Sequence, residues 1–435
     1  MAGTEFWDAG LETMPRERLE DIQLLRLNET LQRAWRSPFY RTRLSRRGLK
    51  PYADSLADIR KFPFTTKDDL RDSYPDAMVC VPREELVRMH ASSGTTGRQI
   101  LVFHTNNDLE AWTDLVARSL YMVGVRRSDI FQNMMSYGLF TGGLGLHYGA
   151  ERIGCLILPT GTGNTERQIG FLRELGTTVA HITPSYCLHL AFVAEQLGVD
   201  PEKDLRLRTV VVGAEPHSEA TRRKIERLLN VKAYNCYGLS EMNGPGVAFE
   251  CPFQNGLHIW EDAFLAETID PETGEPVPEG AEGELVLTTL RREGMPILRY
   301  RTRDLTCIVR GGCACGRTHR RIERIKGRSD DMFIVKGVNI FPSQIETVLM
   351  ETPEVDRNYR IILDRAEGLD TMIVEVELKR EFFTGDVAAL RKIQEGIADR
   401  LRSVILVSPA VELVEPGTIP PSTGKAQRVV DRRKL

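Results

Sequence analysis

Residues 209–241 read TVVVGAEPHSEATRRKIERLLNVKAYNCYGLSE. A β-branched run at 209–212 stops at Gly213-Ala214-Glu215-Pro216, a turn sequence. Residues 219–229 then carry a helical pattern, and a second apolar run at 232–236 ends in Tyr237-Gly238-Leu239-Ser240-Glu241. Strand, helix and strand joined by short Gly or Pro turns predict an α/β fold with a mostly parallel sheet. In such sheets ligands bind beyond the carboxyl ends of the strands, so the loops after the strands are the place to look for chemistry.

The same alternation extends upstream. Strands are expected at 130–135, 155–158 and 178–182, and helices at 109–123 and 167–175. In the first helix Leu109, Trp112, Leu115, Val116, Leu120 and Val123 keep the 3.6-residue period. Nearer the N-terminus, 11–36 reads as helix and 40–50 as a basic loop. Thr66, with Asp69 three residues later, marks another helix start. Downstream the character changes: 271–280 is turn-rich and 283–290 alternates as a strand. A second shift near Asp330 opens a small α+β region: a strand at 332–335, a helix from Pro342, strands at 359–363 and 372–378, and a helix at 386–404. The expected division is a large domain at 1–329, with a β-rich subdomain, and a small domain at 330–435.

A chain of 435 residues exceeds the usual single-domain range, which agrees with two units. Its 41% hydrophobic and 27% charged content is ordinary for a globular protein. A formal net charge of -3 offers no electrostatic reason to expect nucleic acid as a partner. Glu5 and Asp8 interrupt the N-terminus, so no secretory signal is read there, and no apolar run is long enough to span a membrane. Cys155, Cys187, Cys236 and Cys307 lie singly in apolar stretches, as reduced buried thiols do. A cytoplasmic protein is expected.

Ala91-Ser92-Ser93-Gly94-Thr95-Thr96-Gly97-Arg98 combines hydroxyls, backbone N–H groups and two glycines, which can surround a polyphosphate. It lacks the Lys-Ser/Thr ending of the kinase and GTPase phosphate loop. Alone it would be an ordinary turn. It is followed in order by Gly213-Ala214-Glu215-Pro216, by Tyr234-Asn235-Cys236-Tyr237-Gly238-Leu239-Ser240-Glu241, and by Tyr300-Arg301-Thr302-Arg303-Asp304-Leu305. Gly327-Arg328-Ser329-Asp330-Asp331 and Pro421-Ser422-Thr423-Gly424-Lys425 complete the set. In this order and spacing the segments resemble the adenylate-forming superfamily of acyl-CoA synthetases, adenylation domains and luciferase. Phe62-Pro63-Phe64-Thr65-Thr66-Lys67-Asp68-Asp69-Leu70, Tyr137-Gly138-Leu139-Phe140-Thr141-Gly142-Gly143, Ser240-Glu241-Met242-Asn243-Gly244-Pro245-Gly246-Val247 and Asn255-Gly256-Leu257-His258-Ile259-Trp260-Glu261-Asp262 bring the resemblance closer, to the phenylacetate–CoA ligase family.

That resemblance implies an ATP-dependent acid–CoA ligase acting through an acyl-adenylate. Ser92, Ser93, Gly94, Thr95, Thr96 and Gly97 would hold the β- and γ-phosphates, with Thr95 among the catalytic groups. Glu241 would help position Mg²⁺, a hard cation that prefers oxygen. Asp304 would accept the ribose hydroxyls. Gly213, Ala214, Glu215, Pro216 and Tyr237 would line the adenine slot, with Asn235, Gly238, Ser240 and Arg328 around the nucleotide. Lys425 would reach the substrate carboxylate and the α-phosphate as a point charge. Asp330 would be the hinge of a mobile small domain, and Lys336, Gly337 and Val338 would approach CoA. A homodimer is also implied.

For the acid, Tyr137, Phe140, Thr141, Gly142, Gly143 and Gly213 would form a flat aromatic slot. The plain alternative is that Tyr137 and Phe140 are core. Ser136 stands where the family pattern suggests a bulkier neighbour, which leaves the choice among arylacetic and benzoate-like acids open. Cys313-Ala314-Cys315, with Cys251 and His258, is an accepted ligand set for structural Zn²⁺, although Cys-x₂-Cys is the usual knuckle. Spacing leaves zinc and plain thiols both open, and His319 competes with His258 as fourth ligand. The resemblance favours a structural zinc. The alternative activity is a stand-alone adenylation enzyme delivering its acyl group to a carrier protein or an amine.

Overall fold

The computed structural model describes residues 5–92, 99–335, 338–366, 369–383, 386–420 and 428–433. The chain forms two compact units that interleave along the sequence. The first comprises Met1–Gly161, Thr177–His181 and Tyr234–Arg324; the second comprises Thr162–Gly176, Ile182–Ala233 and Ile325–Leu435.

In the first unit, strand Ile130–Asn133 pairs in parallel with Leu156–Leu158 on one side and Val179–Ile182 on the other. Helices Asn106–Met122 and Thr141–Ile153 accompany them. Thr105 and Asp108 close the first helix with a capping box, and Trp112, Leu115 and Val116 are its buried face. The β-rich part is antiparallel: Tyr237 pairs with Ala248, and Phe249 with His258. Strands Phe264–Ile269, Gly283–Thr289 and Tyr300–Thr306 follow as a meander. The parallel strands and the antiparallel β-rich part correspond to the mostly parallel sheet and the β-rich subdomain expected from the sequence.

The expected basic loop at 40–50 is corrected. Pro38–Ser45 is a helix, because Ser37 accepts the Tyr40 N–H as N-cap and Pro38 begins the first turn. Tyr40 and Leu44, one turn apart, are buried with Leu27, Leu31, Phe62 and Leu298. The arginines are its solvent face, and their number disguised the helix. The helix start at Thr66 is present, as Lys67–Asp72, with Asp69 closing the capping box. Two further helices, Thr141–Ile153 and Pro184–Gln196, were not anticipated.

In the second unit, helix Glu219–Leu229 ends at Asn230, a left-handed residue that stops it. Strands Val355–Ala366 and Leu369–Leu378 are antiparallel, flanked in parallel by Val429–Asp431 and Ala410–Val414. Helices Pro342–Met350 and Val387–Ile405 complete the expected α+β pattern. Glu346, partly buried, accepts the Ser218 N–H at 3.2 Å and the Thr221 hydroxyl at 2.6 Å. It therefore neutralises the positive end of helix Glu219–Leu229. Burial pushes its carboxyl pKa up. Residues beyond 330 and residues 182–233 are accordingly continuous in one compact unit.

Candidate active site

Strand Lys232–Leu239 delivers Tyr237 and Gly238 to its carboxyl end. The Tyr237 hydroxyl donates to Asp304 Oδ2 at 2.6 Å, a short charge-assisted bond that joins two of the expected nucleotide groups. Asp304 sits on Tyr300–Thr306, where the Thr302 hydroxyl receives its backbone N–H at 3.0 Å. Gly238 is required sterically: a Cβ there would lie 1.9 Å from the Gly244 carbonyl oxygen. Asn235 is anchored through its N–H, which donates to Glu250 Oε2 at 2.7 Å.

Glu241 follows the same strand in a single 3₁₀ turn and is mostly buried. Its Oε1 accepts from the Tyr300 hydroxyl at 3.2 Å, and its carbonyl accepts from Arg292 Nη1 at 2.6 Å. Ser240 and Thr141 hydroxyls meet at 3.3 Å, joining this turn to the start of helix Thr141–Ile153. Tyr300 was inside a quoted motif without a role, and Arg292 was not singled out at all. An arginine in a polar Arg-Arg-Glu-Gly stretch reads as solvated, so only its burial reveals it.

The expected acid pocket follows strand Ile130–Asn133. Asn133 Nδ2 donates to the Tyr137 hydroxyl at 2.9 Å and to the Gly143 carbonyl at 2.7 Å. Having accepted from Asn133, the Tyr137 hydroxyl donates to His147 Nδ1, 3.2 Å away. Asn133 Oδ1 meets His181 Nδ1 at 3.0 Å. Burial pushes the His181 pKa down to about 3 and the Tyr137 pKa up to about 12. Gly143 has no room for a side chain, since a Cβ would stand 2.4 Å from the Ser136 carbonyl oxygen. Phe140 is 44% exposed, so it is not core. Asn133, His147 and His181 carried no signal in the sequence, being single polar residues in apolar surroundings.

In the second unit, Gly213 ends strand Thr209–Gly213 and Ala214 adopts a left-handed φ of 67°, an uncommon conformation for a residue with a Cβ. Glu215 Oε1 accepts the Ser185 hydroxyl at 2.9 Å, which holds the Gly213–Pro216 turn to helix Pro184–Gln196. Arg328 Nε donates to Asp330 Oδ1 at 2.8 Å. Ser93, Gly94, Thr95, Thr96, Gly97, Lys336, Gly337 and Lys425 lie outside the described residues. Ser92 is described, and its N–H donates to the Ile100 carbonyl at 3.0 Å.

Cys251, His258, Cys313 and Cys315 converge, with their four ligand atoms within 4.8 Å of one another. Cys251 and Cys313 sulfurs are 3.6 Å apart, and Cys315 Sγ is 3.3 Å from His258 Nε2. These are close to the edges of a tetrahedron with zinc–sulfur bonds of about 2.3 Å and zinc–nitrogen bonds of about 2.0 Å. His258 Nδ1 donates to the His319 carbonyl at 3.1 Å, which leaves Nε2 as the free lone pair. His319 itself is spent: Nδ1 accepts the Glu261 N–H and Nε2 donates to the Leu11 carbonyl, both at 3.0 Å. The donor set therefore fits a metal, with His258 as its fourth member. A hydrogen bond from Cys251 draws the Cys315 thiol pKa down, while the same contact and burial push that of Cys251 up.

Comparison with known proteins gives this geometry a lineage. The family model described as AMP-binding enzyme matches residues 42–290, and that of the AMP-binding enzyme C-terminal domain matches 337–433. A phenylacetate–coenzyme A ligase from Thermus thermophilus is 46% identical over 98% of this chain and 99% of its own length. The chain belongs to the phenylacetate–CoA ligase family of AMP-binding enzymes. The Escherichia coli member is 44% identical over 98% of this chain and 97% of its own. Among solved structures, a 2-hydroxyisobutyryl-CoA ligase in its postadenylation state is 30% identical. It covers 100% of this chain and 94% of its own, with a TM-score of 0.94. The expected fold class and enzyme class, an AMP-forming acid–CoA ligase, agree with these relatives.

Proposed function

We propose that this enzyme is an ATP-dependent arylacetate–CoA ligase, with phenylacetate or a close relative as its acid. The observation that carries this is identity of 43–46% to phenylacetate–CoA ligases over nearly whole chains. The aromatic residues Tyr137 and Phe140 beside Gly142 and Gly143 support an aryl ring. In the first half-reaction a carboxylate oxygen of the acid attacks the α-phosphorus of ATP and pyrophosphate departs. In the second the CoA sulfur attacks the acyl carbonyl, its proton is lost, and AMP leaves.

Asp304, held by Tyr237, accepts the ribose hydroxyls, while Gly213, Ala214, Glu215 and Pro216 border the adenine. Residues 92–97 and Glu241 serve the polyphosphate end, where bound Mg²⁺ would neutralise developing charge. Lys425 neutralises the attacking carboxylate and α-phosphate. Residues 330–435 turn about Asp330 between half-reactions, bringing Lys336 and Gly337 towards CoA, which two steps at one acyl-adenylate require. The Cys251–His258–Cys313–Cys315 set would hold a structural Zn²⁺, because its four donor atoms lie within 4.8 Å of one another and complete a tetrahedral shell with no open position. The enzyme works in the cytoplasm as a homodimer, which sedimentation of the purified chain would check.

The test is AMP release with ATP, Mg²⁺ and CoA across aryl and aliphatic acids. CoA-dependent turnover highest with arylacetic acids is expected. Adenylation without CoA consumption would move the enzyme to acyl delivery elsewhere, and silence with every acid would sink the proposal. Lys425→Ala is expected to slow acyl-adenylate formation about a hundredfold or more while sparing thioester formation from preformed adenylate; equal losses in both would remove its role.

A further inference from the structure

Arg292 is a buried guanidinium with no carboxylate of the described residues in contact. It is 1% exposed, and among the described residues no ion pair within 4 Å reaches it. Its Nη1 donates to the Glu241 carbonyl at 2.6 Å and its Nη2 to the Phe103 carbonyl at 3.4 Å, while Nε has no partner among the described residues. A buried charge is costly unless something compensates it, so its placement asks for a reason.

The two carbonyls it holds belong to two different parts of the site. Phe103 lies on strand Leu101–His104, which pairs with Arg88–Ala91 on either side of residues 93–98. Glu241 is the carboxylate turn after strand Lys232–Leu239. Arg292 itself is held still. The neighbouring Glu293 and Gly294 N–H groups donate to the buried Asp108 carboxylate at 2.6 and 3.0 Å. Asp108 is also the closing group of the helix Asn106–Met122 capping box. Burial pulls the guanidinium pKa down to about 10, with Asp108 and Glu241 offsetting part of that burial. It stays cationic at neutral pH.

We propose that Arg292 is a positioning residue for adenylation: its two-armed guanidinium registers the Glu241 turn against the strand pair flanking residues 93–98 and sets positive charge behind the polyphosphate–Mg²⁺ end. This rests on the nucleotide reading given above. The adenosine end, at Tyr237 and Asp304, is held by different bonds, so the two ends of the nucleotide report separately.

The experiment compares MgATP and AMP binding by calorimetry, together with the Mg²⁺ dependence of acyl-adenylate formation, in Arg292→Lys and Arg292→Gln. Arg292→Lys keeps the charge and loses the fork; a roughly tenfold rise in the MgATP dissociation constant and in half-saturating Mg²⁺ is expected, the scale of one charge-assisted hydrogen bond. Arg292→Gln should weaken both about a hundredfold, with AMP affinity held within about twofold in each variant. Equal weakening of AMP and MgATP would mean a merely structural residue and overturn the proposal, as would unchanged Mg²⁺ dependence. If Arg292→Gln does not fold, Arg292→Lys decides by the same ratio. Failure of the wild-type chain to bind MgATP would fail the nucleotide reading itself; normal wild-type binding with indifferent variants would fail Arg292 alone.

Discussion

The Cys251–His258–Cys313–Cys315 cluster and the Tyr237–Asp304–Glu241 site lie in the same unit and draw on neighbouring antiparallel strands, yet they are built on opposite plans. In the cluster every donor faces another donor, and the loop that carries Cys313 and Cys315 is braced from outside. Arg317 pairs with Glu12 at 2.6 Å, both fully buried, and the Thr318 hydroxyl donates to the Met14 carbonyl at 2.7 Å. In the second site each carboxylate is bonded to a tyrosine hydroxyl: Asp304 to Tyr237, Glu241 to Tyr300. Polar residues that satisfy one another stabilise; polar residues aimed outward do chemistry at some cost to stability.

That contrast can be broken in four ways. The largest effect is expected from Cys315→Ser, which should empty the cluster of zinc and cost on the order of 5 kcal/mol or more, since a structural metal's binding energy is folding energy. Metal analysis beside urea unfolding checks it, and a zinc-free wild type of unchanged stability would erase the distinction.

Acid should act next, through His181. Its folded pKa of about 3 lies below the unfolded value near 6.5, so the native state binds fewer protons between them. Stability therefore falls as pH drops through that window, by on the order of 1.4 kcal/mol per unit. His104 and His319 shift in the same direction. His181→Gln should flatten the slope of the unfolding midpoint between pH 6.5 and 4; an identical slope would show that the buried imidazole is not what acid attacks.

Asp304→Ala is expected to lower kcat/KM for ATP about a hundredfold, roughly 2.7 kcal/mol of transition-state stabilisation, while the melting temperature barely moves. A large loss of stability with retained activity would place Asp304 with the cluster instead. The smallest effect belongs to Tyr237→Phe, which removes only the bond that orients Asp304: about threefold to tenfold in the KM for ATP, on the scale of one hydrogen bond. No change there would mean that the strand alone orients the carboxylate.

Local signals decided much of this. Gly213-Ala214-Glu215-Pro216 and Tyr237-Gly238-Leu239-Ser240-Glu241 announced strand ends because turn chemistry and β-branched runs are properties of neighbouring residues. The helix at Glu219–Leu229 fell where its period put it. The motif order carried the family, since each segment is read without knowing what it touches. The helix at Pro38–Ser45 was hidden because its evidence, a buried Tyr40 against Leu298, spans most of the chain.

Partnership was beyond the sequence. That His258 joins the cysteines while His319 is consumed by Glu261 and Leu11 depends on bonds between segments far apart in the chain. The same holds for Arg292, whose two carbonyls come from Phe103 and Glu241, and for Asn133, which links Tyr137 to His181. Composition and period determined which residues could form strands, turns and ligands. Only the tertiary structure decided which polar groups meet and satisfy one another, because hydrogen bonds and burial depend on distance in space and not on separation along the chain.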